Sequence, residues 1–138
     1  MATKVLDSWS LIAFFEDEPA AHSVEQLLQQ AADEKHKLLM SVVNWGEVYY
    51  ITMRQVSQEA AEQKVQEMAA LPIDLIGVGE DLALVKQAAI FKAAHKMSYA
   101  DCFAAALAKQ KNAELITGDP EFKALEKEIK INWLVAKS

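Results

Sequence analysis

Short apolar runs that alternate with amphipathic stretches are the feature that most constrains how this chain can fold. The run over residues 38–43 (LLMSVV) is apolar at every position but one. Such a run is typical of a strand that is buried on both faces of a parallel sheet. The same pattern in other apolar runs predicts strands at 3–6, 73–78, 115–117 and 129–134.

The stretches between these runs predict helices. Val24, Leu27, Leu28 and Ala31 recur at helical spacing and give one apolar face. Residues that favour helix starts mark further boundaries. The predicted helices cover 10–16, 19–34, 44–54, 57–71, 80–96, a segment that begins at Ser98, and 120–126. Strands alternating with helices predict an α/β fold, a three-layer αβα sandwich with a mostly parallel central sheet.

Length and composition narrow the class of protein. The 138 residues are 52% hydrophobic and 25% charged, which predicts one folded domain over 1–138. No apolar run approaches the roughly 18 residues needed to cross a bilayer, and no signal peptide is visible. The lone Cys102 cannot form an internal disulfide, so a cytoplasmic setting is expected. The net charge of −6 argues against non-specific nucleic-acid binding, but not against a nuclease whose carboxylates hold metal ions.

Four acids stand where predicted elements begin, and three of them directly follow strands. In parallel sheets, ligands bind outside the carboxyl ends of the strands. A carboxylate that closes a buried strand is unfavourable unless it is paired or bound to a metal. We therefore predict that the four acids converge on one metal site. This acidic quartet consists of Asp7, Glu47, Asp101 and Asp119.

Helix capping offers a second explanation for three of these acids. Glu47 stands at capping-box spacing from Asn44, as Asp101 does from Ser98. Asp119 precedes a proline, which is the usual order at a helix start. Capping alone, however, would place Ser, Thr or Asn at these positions equally often. The combination of four acids favours the metal site over separate caps.

Clustered carboxylates suit Mg²⁺ or Mn²⁺, which take oxygen ligands and are completed by water and phosphate oxygens. One or two such ions can activate a water for in-line displacement at phosphorus. The histidines are scattered and do not have zinc spacing. No glycine-rich phosphate loop is present either. The chemistry predicted from the residues is therefore metal-dependent hydrolysis of a phosphodiester.

Other polar residues have two interpretations each. The hydroxyl of Thr117 could bond a carboxylate or a phosphate, and a threonine that fills space in a strand is the alternative. Arg54, the single arginine, together with Lys92 and Lys96, could contact an RNA backbone. Lysines at a helix end also complement the helix dipole.

Four segments together resemble the PIN domain family, and specifically VapC-type toxins of toxin–antitoxin systems. They occur in the family's order and span nearly the whole chain. The segments are VLDS at 5–8, SVVNWGEVYY at 41–50, SYADCFAAALA at 98–108 and LITGDPEF at 115–122.

The resemblance implies an αβα sandwich and a magnesium-dependent ribonuclease whose catalytic and metal-binding residues are the acidic quartet. It also implies a homodimer and a cognate antitoxin that blocks the site. Many relatives carry a small polar residue where this chain has Trp9. Ser8 or Ser10 is expected to supply that hydroxyl.

Two alternatives remain open at this point. A PIN-like module without catalytic activity could bind a partner, although all four acids are present. An aspartyl-phosphate phosphotransferase would need a second Asp two positions after Asp7, where Trp9 stands.

Overall fold

The computed structural model describes residues 1–80 and 82–134. Its centre is a sheet of five strands in the order β3-β2-β1-β4-β5, and every neighbouring pair is parallel. The strands are β1 (Ala2–Leu6), β2 (His36–Ser41), β3 (Ile73–Ile76), β4 (Glu114–Thr117) and β5 (Ile131–Trp133). The predicted α/β sandwich is confirmed, and the sheet is wholly parallel rather than mostly so.

Helices connect the strands and cover both faces of the sheet. They are α1 (Ser8–Phe15), α2 (Ala21–Ala32), α3 (Val42–Gln55), α4 (Gln58–Ala69), α5 (Ala83–Ala94), α6 (Tyr99–Gln110) and a 3₁₀ helix (Pro120–Leu125). In the described part of the chain, no helix is long and apolar enough to cross a membrane.

Two apolar cores lie on opposite faces of the sheet because successive strand residues point to opposite sides. Val5, Leu39 and Leu115 pack with α5, α6 and the 3₁₀ helix. Their neighbours Leu6 and Ile116 pack with α1 to α4. Burial of both faces explains why the inner strands β2 and β4 appear as continuous apolar runs.

The main error in the predicted elements concerns the start of α3. Ser41, not Asn44, is the N-cap, and its hydroxyl accepts the Val43 N–H at 3.1 Å. Strand β2 therefore ends at Ser41, and the N-cap of α3 lies three residues before the predicted one. The predicted capping box between Asn44 and Glu47 is wrong, because both residues lie inside the helix.

The other predicted boundaries need smaller corrections. The prediction of Ser57 and Ser98 as N-caps is confirmed. The predicted helix over 19–34 shortens to α2, and the one over 80–96 shortens to α5, with residue 81 outside the described residues. The 120–126 segment is a 3₁₀ helix, and the strands predicted at 73–78 and 129–134 shorten to β3 and β5.

The strand order places a switch point beside β1. The chain moves from β1 to β2 and β3 on one side, and later to β4 and β5 on the other. A crevice outside the carboxyl ends of the strands at such a point is where ligands bind in this class of sheet. Asp7 follows β1 and Thr117 ends β4 at this edge.

Candidate metal centre

Asp7 is fully buried at the end of β1 and is held from two directions. Its Oδ1 accepts the backbone N–H of Ser10 at 2.9 Å, so Asp7 is also the N-cap of α1. Its Oδ2 accepts the hydroxyl of Thr117 at 2.5 Å. Burial, with a smaller contribution from the charge of Asp119, raises the pKa of Asp7 to about 6 against the lowering effect of these hydrogen bonds. The carboxyl group is therefore fixed in place but unfavourable as an isolated anion.

Thr117 links Asp7 to the last member of the acidic quartet. Its Oγ1 also accepts the backbone N–H of Asp119 at 3.0 Å. The Asp119 carboxylate in turn accepts the backbone N–H of Glu121 at 2.9 Å, as the cap of the 3₁₀ helix. One hydroxyl thus ties together the ends of β1 and β4, as the bonding interpretation of Thr117 predicted.

The turn between Thr117 and Asp119 is covered by Trp9. A Cβ atom on Gly118 would lie 2.2 Å from the nearest atom of the indole ring. Only a glycine leaves room for the ring at this distance. Trp9 therefore packs against the turn that holds Asp119.

Asp101 lies in the first turn of α6, where the negative charges of the other three acids affect its pKa. Its backbone N–H donates to the Ser98 hydroxyl at 3.1 Å, and the residue is only 8% exposed. Burial and then the charges of Asp119, Asp7 and Glu47 raise its pKa to about 7, while the Ser98 hydroxyl lowers it. The charges of the other three acids of the quartet thus act on the Asp101 carboxyl group.

The tightest group of carboxylates differs from the predicted quartet. Asp101, Asp119 and Glu121 can each place one oxygen within 4.8 Å of the others. Among the described residues this group does not include Asp7 or Glu47. The sequence interpretation missed Glu121, because an acid just after Asp119-Pro120 is expected from the helix dipole alone.

Glu47 lies on α3 and is connected to Arg54 through an aromatic ring. The Tyr50 hydroxyl donates to Glu47 Oε2 at 3.4 Å. The Arg54 guanidinium lies 5.2 Å from the centre of the Tyr50 ring. Burial and then the charge of Glu47 raise the pKa of Tyr50, and Asp101 adds to this effect. Arg54 is thereby brought to the edge of the acid cluster.

The two serines that follow Asp7 hold α1 against its neighbours. The Ser8 hydroxyl donates to the Asn44 carbonyl at 3.1 Å. The Ser10 hydroxyl donates to the Ile116 carbonyl at 2.7 Å and lowers the pKa of Asp7. Both residues are buried. These contacts fix the turn that presents the Asp7 carboxylate.

The lysines predicted to contact RNA are placed differently from Arg54. The Lys92 ammonium donates to the Met97 carbonyl at 2.6 Å. This bond closes the segment between α5 and α6, because Met97 lies beyond the end of α5. The helix-dipole interpretation of Lys92 stays a prediction. Lys96 is exposed in that same segment. Their contact with RNA stays a prediction.

The chemistry of these side chains fits a hard divalent cation. Ion pairs in the described residues join Lys4 to Glu114, Lys64 to Glu67, and His95 to Glu128. No ion pair within residues 1–80 and 82–134 involves the quartet. Clustered carboxylates that form no ion pair with a protein cation in this part of the chain, two of which (Asp7 and Asp101) have raised pKa values, suit Mg²⁺ or Mn²⁺.

Comparison with known proteins agrees with this fold. The chain matches the PIN domain model over residues 4–128. It is similar in structure to DNA-bound VapBC from Salmonella typhimurium, with a TM-score of 0.75 and 13% identity over 98% of this chain and 100% of that chain. It is also similar to VapBC2 from Rickettsia felis bound to a DNA fragment from the promoter. The TM-score is 0.71 and the identity is 14%, over 96% of this chain and 99% of that chain.

A third similar structure is Mycobacterium tuberculosis VapC20, a sarcin–ricin loop cleaving toxin. It gives a TM-score of 0.67 and 17% identity over 88% of this chain and 93% of that chain. No curated protein matches the sequence significantly. The family model covers most of the chain, from within β1 to the residues just before β5. The chain therefore belongs to the PIN domain family.

Proposed function

We propose that this protein is a Mg²⁺- or Mn²⁺-dependent endoribonuclease of the VapC toxin type. The observation that carries the proposal is the approach of Asp101, Asp119 and Glu121, which can each place one oxygen within 4.8 Å of the others. The charges of Asp7 and Glu47 also raise the pKa of Asp101, which supports assigning both to the same site. The similarity to VapC20, a toxin that cleaves an RNA loop, supports RNA as the substrate class.

The acids of the quartet would hold the ion, and Glu121 is added to them as a candidate ligand because of its distance to Asp101 and Asp119. When bound, the ion would supply the positive charge that activates a water and stabilises the oxygens of an in-line displacement at phosphorus. The residues of the chain would bind the ion and orient the carboxylates that hold it. Thr117 and Ser10 fix the Asp7 carboxylate.

Arg54 is the cation that we assign to the RNA backbone beside this site. It packs on the ring of Tyr50, whose hydroxyl reaches Glu47. An arginine held on an aromatic ring presents a planar donor group to phosphate. Lys92 and Lys96 are assigned a weaker role on the same backbone, because Lys92 already donates to a carbonyl.

We also propose a protein partner and a second copy of the chain. The similar structures include VapBC complexes and a toxin–antitoxin complex from Klebsiella pneumoniae. This similarity supports a cognate antitoxin as the partner. That the antitoxin blocks the acidic site, and that the toxin forms a homodimer, are proposals carried over from the family resemblance. An RNA substrate and the single buried thiol at Cys102 suit a cytoplasmic setting.

Cleavage of purified tRNA and ribosomal RNA tests the proposal. We expect cleavage with Mg²⁺ or Mn²⁺, none with chelator, and a loss of more than about 100-fold in Asp7→Asn, beyond the usual effect of outer-shell changes at metal sites. Asp33→Asn, which alters an exposed acid at the end of α2, is the matched control. Cleavage that survives the chelator would refute the metal mechanism. A chain that binds RNA but never cleaves it would favour a binding module without catalysis.

A further inference from the structure

Asn44 is a fully buried polar residue that the proposed chemistry does not use. It lies in the first turn of α3, after the Ser41 cap. Its Nδ2 donates to the Ser8 hydroxyl at 3.2 Å and to the Ala100 carbonyl at 3.1 Å. The Ser8 hydroxyl donates to the Asn44 carbonyl at 3.1 Å. One side chain thus joins the starts of three helices.

Each of these three helices carries an acid of the quartet, at its N-cap or within its first two turns. Ser8 directly follows Asp7, and Ala100 directly precedes Asp101. Asn44 itself lies three residues before Glu47, on nearly the same face of α3. The two bonds that the Asn44 carboxamide donates therefore connect the segments that carry these three acids.

The remaining polar atom of Asn44 argues against a simple packing role. Its Oδ1 is buried and has no hydrogen-bond partner among the described residues. Such an atom is unfavourable by about 1–3 kcal/mol, and a leucine of similar volume would avoid that penalty. A carboxamide, unlike leucine, can donate two N–H bonds in different directions from one point.

We propose that Asn44 is a positioning residue of the metal centre. By holding the starts of α1 and α6 at fixed distances from α3, it sets the spacing of Asp7, Glu47 and Asp101 and so the affinity for a divalent cation. This proposal rests on the proposed function. It adds that the metal affinity depends on a neutral residue that supplies no ligand atom.

Calorimetric titration with Mn²⁺ tests the proposal without RNA. For Asn44→Leu we expect Mn²⁺ binding to weaken about 10- to 100-fold, the usual effect of altering outer-shell partners of a metal site. In cleavage assays kcat should fall, while KM for RNA stays within about twofold. Ser8→Ala removes one of the two bonds and should give a smaller effect in the same direction.

A core variant separates positioning from general stability. Val24→Ala shortens a buried side chain of α2 and lowers stability by creating a cavity. We expect it to bind Mn²⁺ like the wild type even when its Tm is as low as that of Asn44→Leu. Should Asn44→Leu fail to fold, Ser8→Ala carries the test.

The outcomes distinguish the two proposals. If Asn44→Leu and Ser8→Ala bind Mn²⁺ as tightly as the wild type, the positioning proposal is overturned and the proposed function stands. If Val24→Ala loses Mn²⁺ affinity in proportion to its Tm, the effect is one of stability and the positioning proposal is also overturned. A wild-type chain that binds no Mn²⁺ overturns both.

Discussion

The neighbouring strands β1 and β4 carry a pair of opposite charges near their starts and, at their ends, acidic residues without a paired cation in the described part of the chain. Near their starts, Lys4 and Glu114 are register partners, and their side chains form an ion pair at 3.6 Å. At their ends, Asp7 is bonded to Thr117 through a neutral hydroxyl, and Asp119 follows close by. One end is electrically balanced and partly exposed, while the other gathers negative charge in a buried place.

This difference distinguishes residues that stabilise the fold from residues that would bind a cation. An exposed ion pair contributes at most about 1 kcal/mol to stability, and its two charges need no further partner. Buried acids whose pKa values rise to about 6 and 7 disfavour the folded state when they ionise. A bound divalent cation would remove that penalty, so the carboxyl edge has the properties of a site rather than of a structural contact.

The largest expected effect is on the stability of the metal-free protein as a function of pH. The folded-state pKa of Asp101, about 7, lies above the ordinary value of 3.8. Between those values the folded state binds more protons than the unfolded state, so stability falls as pH rises. Asp101→Asn removes this penalty. At pH 8 without metal, Asp101→Asn should raise Tm by about 5 °C. This value already includes a reduction for solvent screening of the carboxyl charge.

Thermal unfolding at several pH values checks this prediction. Near pH 4 the wild type and Asp101→Asn should unfold at nearly the same temperature, because the carboxyl is protonated in the folded state. Mg²⁺ at pH 8 should stabilise the wild type and leave the variant unchanged. A variant less stable than the wild type at pH 8 without metal would contradict the contrast between the two strand ends.

The second prediction concerns the hydroxyl between Asp7 and Asp119. Thr117→Val keeps the shape of the side chain but removes both of its hydrogen bonds. RNA cleavage should fall about 10- to 100-fold, as for other outer-shell changes at metal sites. Thr52→Val is the control, because Thr52 bonds only a carbonyl of its own helix. Equal rates in the two variants would mean that Thr117 does not position the acids.

The smallest effect is expected at the balanced end of the strands. Lys4→Met should change the free energy of unfolding by less than about 1 kcal/mol and leave RNA cleavage within about twofold of the wild type. Chemical denaturation and initial cleavage rates measure the two quantities. A large loss of cleavage would show that charge at the strand starts matters to the site.

The sequence was sufficient to predict the sheet and most of its helices. Apolar runs such as 38–43 indicate strands because both faces of this sheet are buried. Ser57 and Ser98 were correctly predicted as caps from local chemistry. The start of α3 was not, since Ser41 and Asn44 are both good capping residues and tertiary contacts decide between them.

The site was predictable only as far as strand ends could be located. The order of strands brings Asp7 and Asp119 to one edge, and this follows from the α/β pattern. The bonds from Asn44 to Ser8 and Ala100 join positions 36 and 56 residues apart, so no local pattern reveals them. Glu121 was missed for a different reason, because its position suits the helix dipole equally well.

The central claim is that carboxylates at the ends of β1 and β4 and at the start of α6 share one divalent cation. Anomalous diffraction from crystals of the wild-type chain soaked in Mn²⁺ tests it most directly. We predict a peak with oxygen atoms of Asp101 and Asp119 at a distance close to the roughly 2.0–2.1 Å of Mg²⁺ ligands, with Asp7 and Glu47 beside it. A soaked crystal with no peak at this edge, or with Mn²⁺ bound on another face, would contradict the account.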